Sequence, residues 1–138
     1  IEHIYPHEVD VALQEFYRVL NDRGFVMLTC PDLQSVCKLV SENKLLEPAY
    51  VAPAGPVAPI DILYGYRPSL AKGNSYMAHH TGFTQTSLAQ TFRNNGFQSV
   101  VSARRVNFYD LFCLAAKQKL PKDQILALAR SHFPSDKN

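Results

Sequence analysis

The sequence predicts an α/β fold ending in an antiparallel pair of strands, on three observations. Residues 9–31 read as an amphipathic helix, a glycine stop and a buried strand. Residues 84–96 read as a later helix with a threonine cap and a glycine terminator. Residues 97–106 and 108–116 read as two strands separated by about one residue, Asn107. A parallel crossover needs a dozen or more residues, so these two must run antiparallel.

Taken in order, Val9, Leu13, Phe16 and Leu20 fall on one face of the first helix. Glu8 and Asp10 put negative charge in its first turn and Arg18 and Arg23 put positive charge at its end, as the helix dipole favours. Gly24 is the expected C-cap, able to take φ > 0. Phe25-Val26-Met27-Leu28-Thr29-Cys30 is a continuous apolar run, as expected of a strand covered on both faces, and Pro31 ends it. Asp32 is placed to cap a second helix carrying Leu33, Val36, Cys37 and Val40. Residues 47–83 hold Pro48, Pro53, Pro56, Pro59 and Pro68 with Gly55, Gly65, Gly73 and Gly82, which keeps regular structure short there. Leu88 and Phe92 turn inward from the helix capped by Thr84 and ended by Gly96. Pro121 opens a last helix with Ile125, Leu128 and Ala129 in register.

A length of 138 residues with 46% hydrophobic content is enough for a real core. The net charge of +2 is spread thinly, and Arg104-Arg105 reads as a solvated strand end rather than a basic patch, which argues against a nucleic-acid partner. No apolar run approaches the ~18 residues of a membrane span. Cys30, Cys37 and Cys113 lie in apolar runs, as an odd count and without CxxC spacing, a pattern of reduced, buried thiols in a cytoplasmic protein. Ile1-Glu2-His3-Ile4-Tyr5-Pro6 has no strand or cap before it, so the chain reads as the C-terminal part of a larger α/β domain.

Three groups of segments together carry a family likeness. They are Ile1-Glu2-His3-Ile4 with the helix ending Arg18-Val19-Leu20 and Gly24; Thr29-Cys30-Pro31-Asp32-Leu33; and His80-Thr81-Gly82-Phe83-Thr84 with Asn95-Gly96-Phe97 and Phe108 through Lys117. In this combination the chain resembles the C-terminal half of a class I S-adenosylmethionine-dependent methyltransferase, over residues 1–117, with residues 47–83 as an insertion and 118–138 as a helical tail. The resemblance implies a partial Rossmann-like sheet whose last strand is reversed and inserted between its neighbours. It implies S-adenosylmethionine as cofactor of the full-length protein. That cofactor's glycine turn is not in this chain, whose six glycines include no pair two apart. The main cofactor contacts are therefore expected upstream of Ile1, and the chain alone is expected to be inactive.

What remains for this chain is the substrate side. Ligands gather at the carboxyl ends of strands in such sheets. Glu2 and His3 are placed there by the resemblance, Glu2 for substrate binding and His3 to orient substrate or accept a proton; they could equally serve only to tie the loop into the following helix. His79 and His80 stand where the insertion returns, His80 as a catalytic base and His79 as a substrate contact, or both as packed loop residues. Tyr64 and Tyr76, with Tyr50 and Tyr66, could line a pocket or pin the loop to the core. His3, His7, His79 and His80 could be read as metal ligands, but Pro6 interrupts the only helical spacing among them, and no metal site is expected. No GxSxG elbow is present for a serine hydrolase. A non-catalytic binding or dimerisation module built on the same fold stays open, as does a nicotinamide-dependent parent, though the antiparallel pair argues against the latter. The methyl acceptor is not legible. With the edge of Phe25–Cys30 open and one sheet face stripped of its helices, the chain is expected to self-associate.

Overall fold

The computed structural model describes residues 1–105 and 108–134. A 3-10 turn at Pro6–Glu8 leads into helix α1 (Val9–Val19), strand β1 (Phe25–Pro31) and helix α2 (Leu33–Ser41). The insertion holds a hairpin of β2 (Tyr50–Ala52) and β3 (Gly55–Val57), short helices α3 (Pro59–Tyr64) and α4 (Arg67–Leu70), and a 3-10 turn at Ser75–Met77. Helix α5 (Gln85–Asn94), strands β4 (Ser99–Arg105) and β5 (Asp110–Ala116), and helix α6 (Lys122–His132) complete it. The protein is thus mixed α/β, with a three-stranded antiparallel sheet and a two-stranded one.

In the larger sheet the order is β1-β5-β4, and β5 runs antiparallel to both neighbours. Strands β1 and β4 therefore point the same way, with the reversed strand between them. Alternation along the strands divides the core. Cys30, Leu111 and Cys113 face the inner sides of α1 and α5, where Leu13, Leu88 and Phe92 are fully buried. Phe25, Val101, Leu114 and Ala116 face the other way and meet Ile125 and Leu128 of α6. The second face is thus not bare: the tail, despite its few apolar positions, lies across it and leaves Met27 as the exposed apolar residue of β1.

The caps follow the sequence. Asp32 accepts from the Gln34 amide at 3.2 Å, and Thr84 from the Ser87 amide at 3.2 Å. Gly96 closes α5 at φ 94°. Other expectations need correction. Gly24 does not adopt positive φ; α1 ends at Val19 with Leu20 as its C-cap, and a Cβ at Gly24 would lie 2.9 Å from Leu20 Cδ2 and 3.0 Å from the Asn21 carbonyl oxygen. Phe16 is exposed, and Tyr17 takes its place inward, edge-on to Phe97 at 5.4 Å. Pro31 is the last paired residue of β1 rather than its stop, and Cys37 faces solvent. Arg104 and Arg105 are not a solvated strand end. Arg104 pairs with Asp32, and Arg105 pairs with Asp110 and lies 4.0 Å from the centre of the Phe108 ring. Asn107, the expected turn, and Val106, expected in the strand, fall outside the described residues.

Candidate functional site

The segment 79–83 is stitched to two parts of the chain at once. His80 and Thr81 donate their amides to the Glu2 carbonyl, at 2.8 and 3.2 Å. Three residues on, Phe83 bridges Asp32 in parallel and accepts from the Leu33 amide at 2.9 Å. Backbone bonds therefore bring Glu2-His3 and His79-His80 together beside the carboxyl end of β1, where the Glu2 carboxylate also acts on the Cys30 thiol.

Each histidine has a defined setting. His3 Nδ1 lies 3.1 Å from the Ala78 carbonyl, and its Nε2 lies 3.6 Å from Glu2 Oε1. His79 Nδ1 lies 2.8 Å from the Ile62 carbonyl in α3, and the two rings meet edge to face at 4.7 Å. Burial pushes the His79 imidazole below its usual range, against the opposing pull of the Ile62 carbonyl and Glu2. His80 points elsewhere, stacked on Tyr5 at 4.2 Å, and Tyr5 in turn stacks on His7 at 5.8 Å.

These residues border an open cleft of about 550 Å³ lined by His3, Tyr5, Glu8, Leu70, Tyr76 and His80 among others. Tyr76, 88% exposed, stands on its rim. Tyr64 does not reach it: its ring is 65% exposed, and its contribution is the carbonyl that accepts from the His79 amide at 3.2 Å. Tyr50 and Tyr66 pin the insertion instead, Tyr50 stacked on Tyr109 and Tyr66 bonded to the Ala54 carbonyl at 2.7 Å. The anchor of this region is Asp61, buried at the start of α3. It accepts from the Ala58 and Arg67 amides at 2.9 and 3.1 Å and from the Arg67 guanidinium at 2.6 and 3.1 Å. Burial alone would raise its carboxyl, but those bonds outweigh it and hold it below the usual carboxylate range.

Sequence reasoning missed Tyr5 as a cleft residue and Asp61 as the anchor of α3, the helix whose Ile62 carbonyl meets His79. An aromatic two residues beyond His3, and an acid at the third helical position after Pro59, were the available signals. Cys30 and Cys113 are buried and pushed up to about 12 by that burial, so neither serves as a nucleophile. No helix among the described residues is long and apolar enough to cross a membrane. Comparison with models of protein families, with curated proteins and with solved structures finds no match to this chain.

Proposed function

We propose that this chain is the C-terminal portion of an S-adenosylmethionine-dependent methyltransferase and supplies the substrate side of its site. The observation that carries the reading is the sheet order: a reversed strand between two strands of common direction, with the glutamate-histidine and paired-histidine segments meeting beside the carboxyl end of β1. Ligands of α/β sheets gather at that end. The cleft offers His80, carried on the Tyr5 ring, to take the proton of an attacking oxygen or nitrogen. Tyr76 and His3 border the same space and would hold the acceptor. The described residues do not build a cradle for the cofactor, because no glycine pair allows the close backbone approach it needs. No step is therefore derived through it, and its contacts fall to sequence upstream of Ile1. The unpaired, buried Cys30 and Cys113 fit a reducing, cytoplasmic setting.

The decisive test is the gene upstream of Ile1. A glycine-rich turn followed by an acid after the next strand is expected; a reading frame without them makes the chain a binding module instead. Calorimetric titration of the chain with S-adenosylmethionine is expected to give weak or no binding, and a micromolar dissociation constant would overturn the division of the site. In the full-length protein, His80→Ala is expected to slow turnover and leave cofactor affinity nearly unchanged. Equal loss of both would make His80 a structural residue.

The same reading includes self-association. Among the described residues the outer edge of β1 has no partner strand, and an unpaired edge offers its amides and carbonyls to a second chain. Light scattering is expected to show mass rising with concentration. A constant monomer mass would mean that α6, by covering the second face, suffices to keep the chain single.

A further inference from the structure

We propose that Glu2, His3 and His79 form a binding site for a divalent transition-metal cation of the zinc class. Their three ligand atoms lie within 4.8 Å of one another, although the segments bearing them are far apart in sequence. The polarity of the rings is fixed by their surroundings. A carbonyl can only accept, so in the neutral rings the Ala78 and Ile62 carbonyls place the proton on Nδ1 of His3 and His79, which leaves Nε2 as the ligand atom. Imidazole ligands are oriented in this way by a backbone carbonyl on the far nitrogen. Glu2 completes the set with Oε1 near His3 Nε2.

The two ligand-bearing segments are also tied to each other, since the Glu2 carbonyl takes the amides of His80 and Thr81. Around a four-coordinate cation with metal–ligand bonds of about 2.0–2.2 Å, ligand atoms lie roughly 3.3–3.6 Å apart. The His3–Glu2 pair, at 3.6 Å, already stands near that separation, and a pair as wide as 4.8 Å must close by about 1 Å through side-chain rotation as the cation binds. Two imidazoles and one carboxylate leave a position open, the pattern of a cation that binds water or substrate rather than one that only staples the fold. His3 is 38% exposed and lines the cleft, so the cluster is reached from that space. The proposal does not depend on methyl transfer: it makes His3 a ligand and leaves His80 as the proton acceptor.

The test is titration of the whole chain with Zn²⁺ and Co²⁺ in a non-coordinating buffer, on a Cys37→Ser background that removes the exposed thiol. Saturable uptake of about one cation per chain is expected, with Co²⁺ developing the visible bands of a four- or five-coordinate nitrogen–oxygen site. His3→Ala and His79→Ala should each weaken uptake at least about tenfold, and His132→Ala, on the distant tail helix, should not. Circular dichroism checks each variant. Should His79→Ala unfold, the exposed His3→Ala variant and the Co²⁺ spectrum decide. No saturable uptake, a Co²⁺ spectrum identical to the hydrated ion, or His3→Ala binding as tightly as the parent would each overturn the site.

Discussion

Arg104→Ala is expected to lower the unfolding free energy by about 3–5 kcal/mol, the cost of leaving a buried carboxylate without its cation. Asp32 has 0% of its surface exposed, at the junction of β1 and α2. Its carboxylate caps α2 through the Gln34 amide and takes the Ser35 hydroxyl, but the charge is balanced by the Arg104 guanidinium. Arg104 also bonds Gln34 Oε1 at 2.8 Å, so one side chain from β4 clamps the first turn of α2 across the intervening β5. Without it the buried carboxylate stands uncompensated, which loosens the end of the sheet beside the histidine cluster. Urea denaturation followed by circular dichroism reads the effect. A loss under about 1 kcal/mol, the size of an exposed pair, would mean that water already screens the contact. The double variant Asp32→Asn with Arg104→Met should recover much of the loss, since it removes the stranded charge instead of exposing it.

That pair marks where the sequence stops being legible. Local signals were clear wherever the chain answers to its neighbours. The caps at Asp32 and Thr84, the terminator Gly96, the helices around Leu13 and Phe92, and the antiparallel pairing of β4 with β5 all rest on contacts a few residues apart. Phe16 and Tyr17 show the limit even there: both can complete an apolar stripe, and the T-shaped contact with Phe97, remote in sequence, chooses Tyr17. Arg104 and Asp32 are likewise remote, and an arginine at a strand end looks solvated until its partner is known. The tail misled for a related reason. Its few apolar positions looked insufficient for a sheet face, yet Ile125 and Leu128 suffice because Leu114 and Ala116 sit at the centre of a narrow sheet. The candidate site was legible as residue types but not as a geometry. Nothing in Glu2-His3 or His79-His80 tells which ring joins the carboxylate; the Ile62 carbonyl bonds His79, and Tyr5 stacks on His80.

Gly65→Ala is expected to be the most damaging change to the site that touches none of its ligands. Gly65 follows α3 at φ 101°, a conformation that side chains rarely adopt and that costs on the order of 1–3 kcal/mol in a residue with a Cβ. Space is the larger obstacle. A Cβ there would lie 2.0 Å from the Met77 carbonyl oxygen and 3.0 Å from Ala78 Cα. The backbone at 77–78 must therefore retreat by roughly 1 Å or more to restore an ordinary contact. That backbone carries the Ala78 carbonyl bound to His3, and it leads directly into His79, whose amide is held by Tyr64. One methyl group thus separates the two histidines and cuts the bonds that orient both rings. Cation uptake should fall at least about tenfold, the usual penalty for losing the groups that orient metal ligands, and the urea midpoint should fall with it. Gly73→Ala is the matched comparison: φ is 87° there, and a Cβ meets nothing within 4 Å, so it imposes backbone strain without the overlap. If both substitutions lowered stability equally and left cation uptake alike, the close approach of Gly65 to Met77 would not be what sets the site.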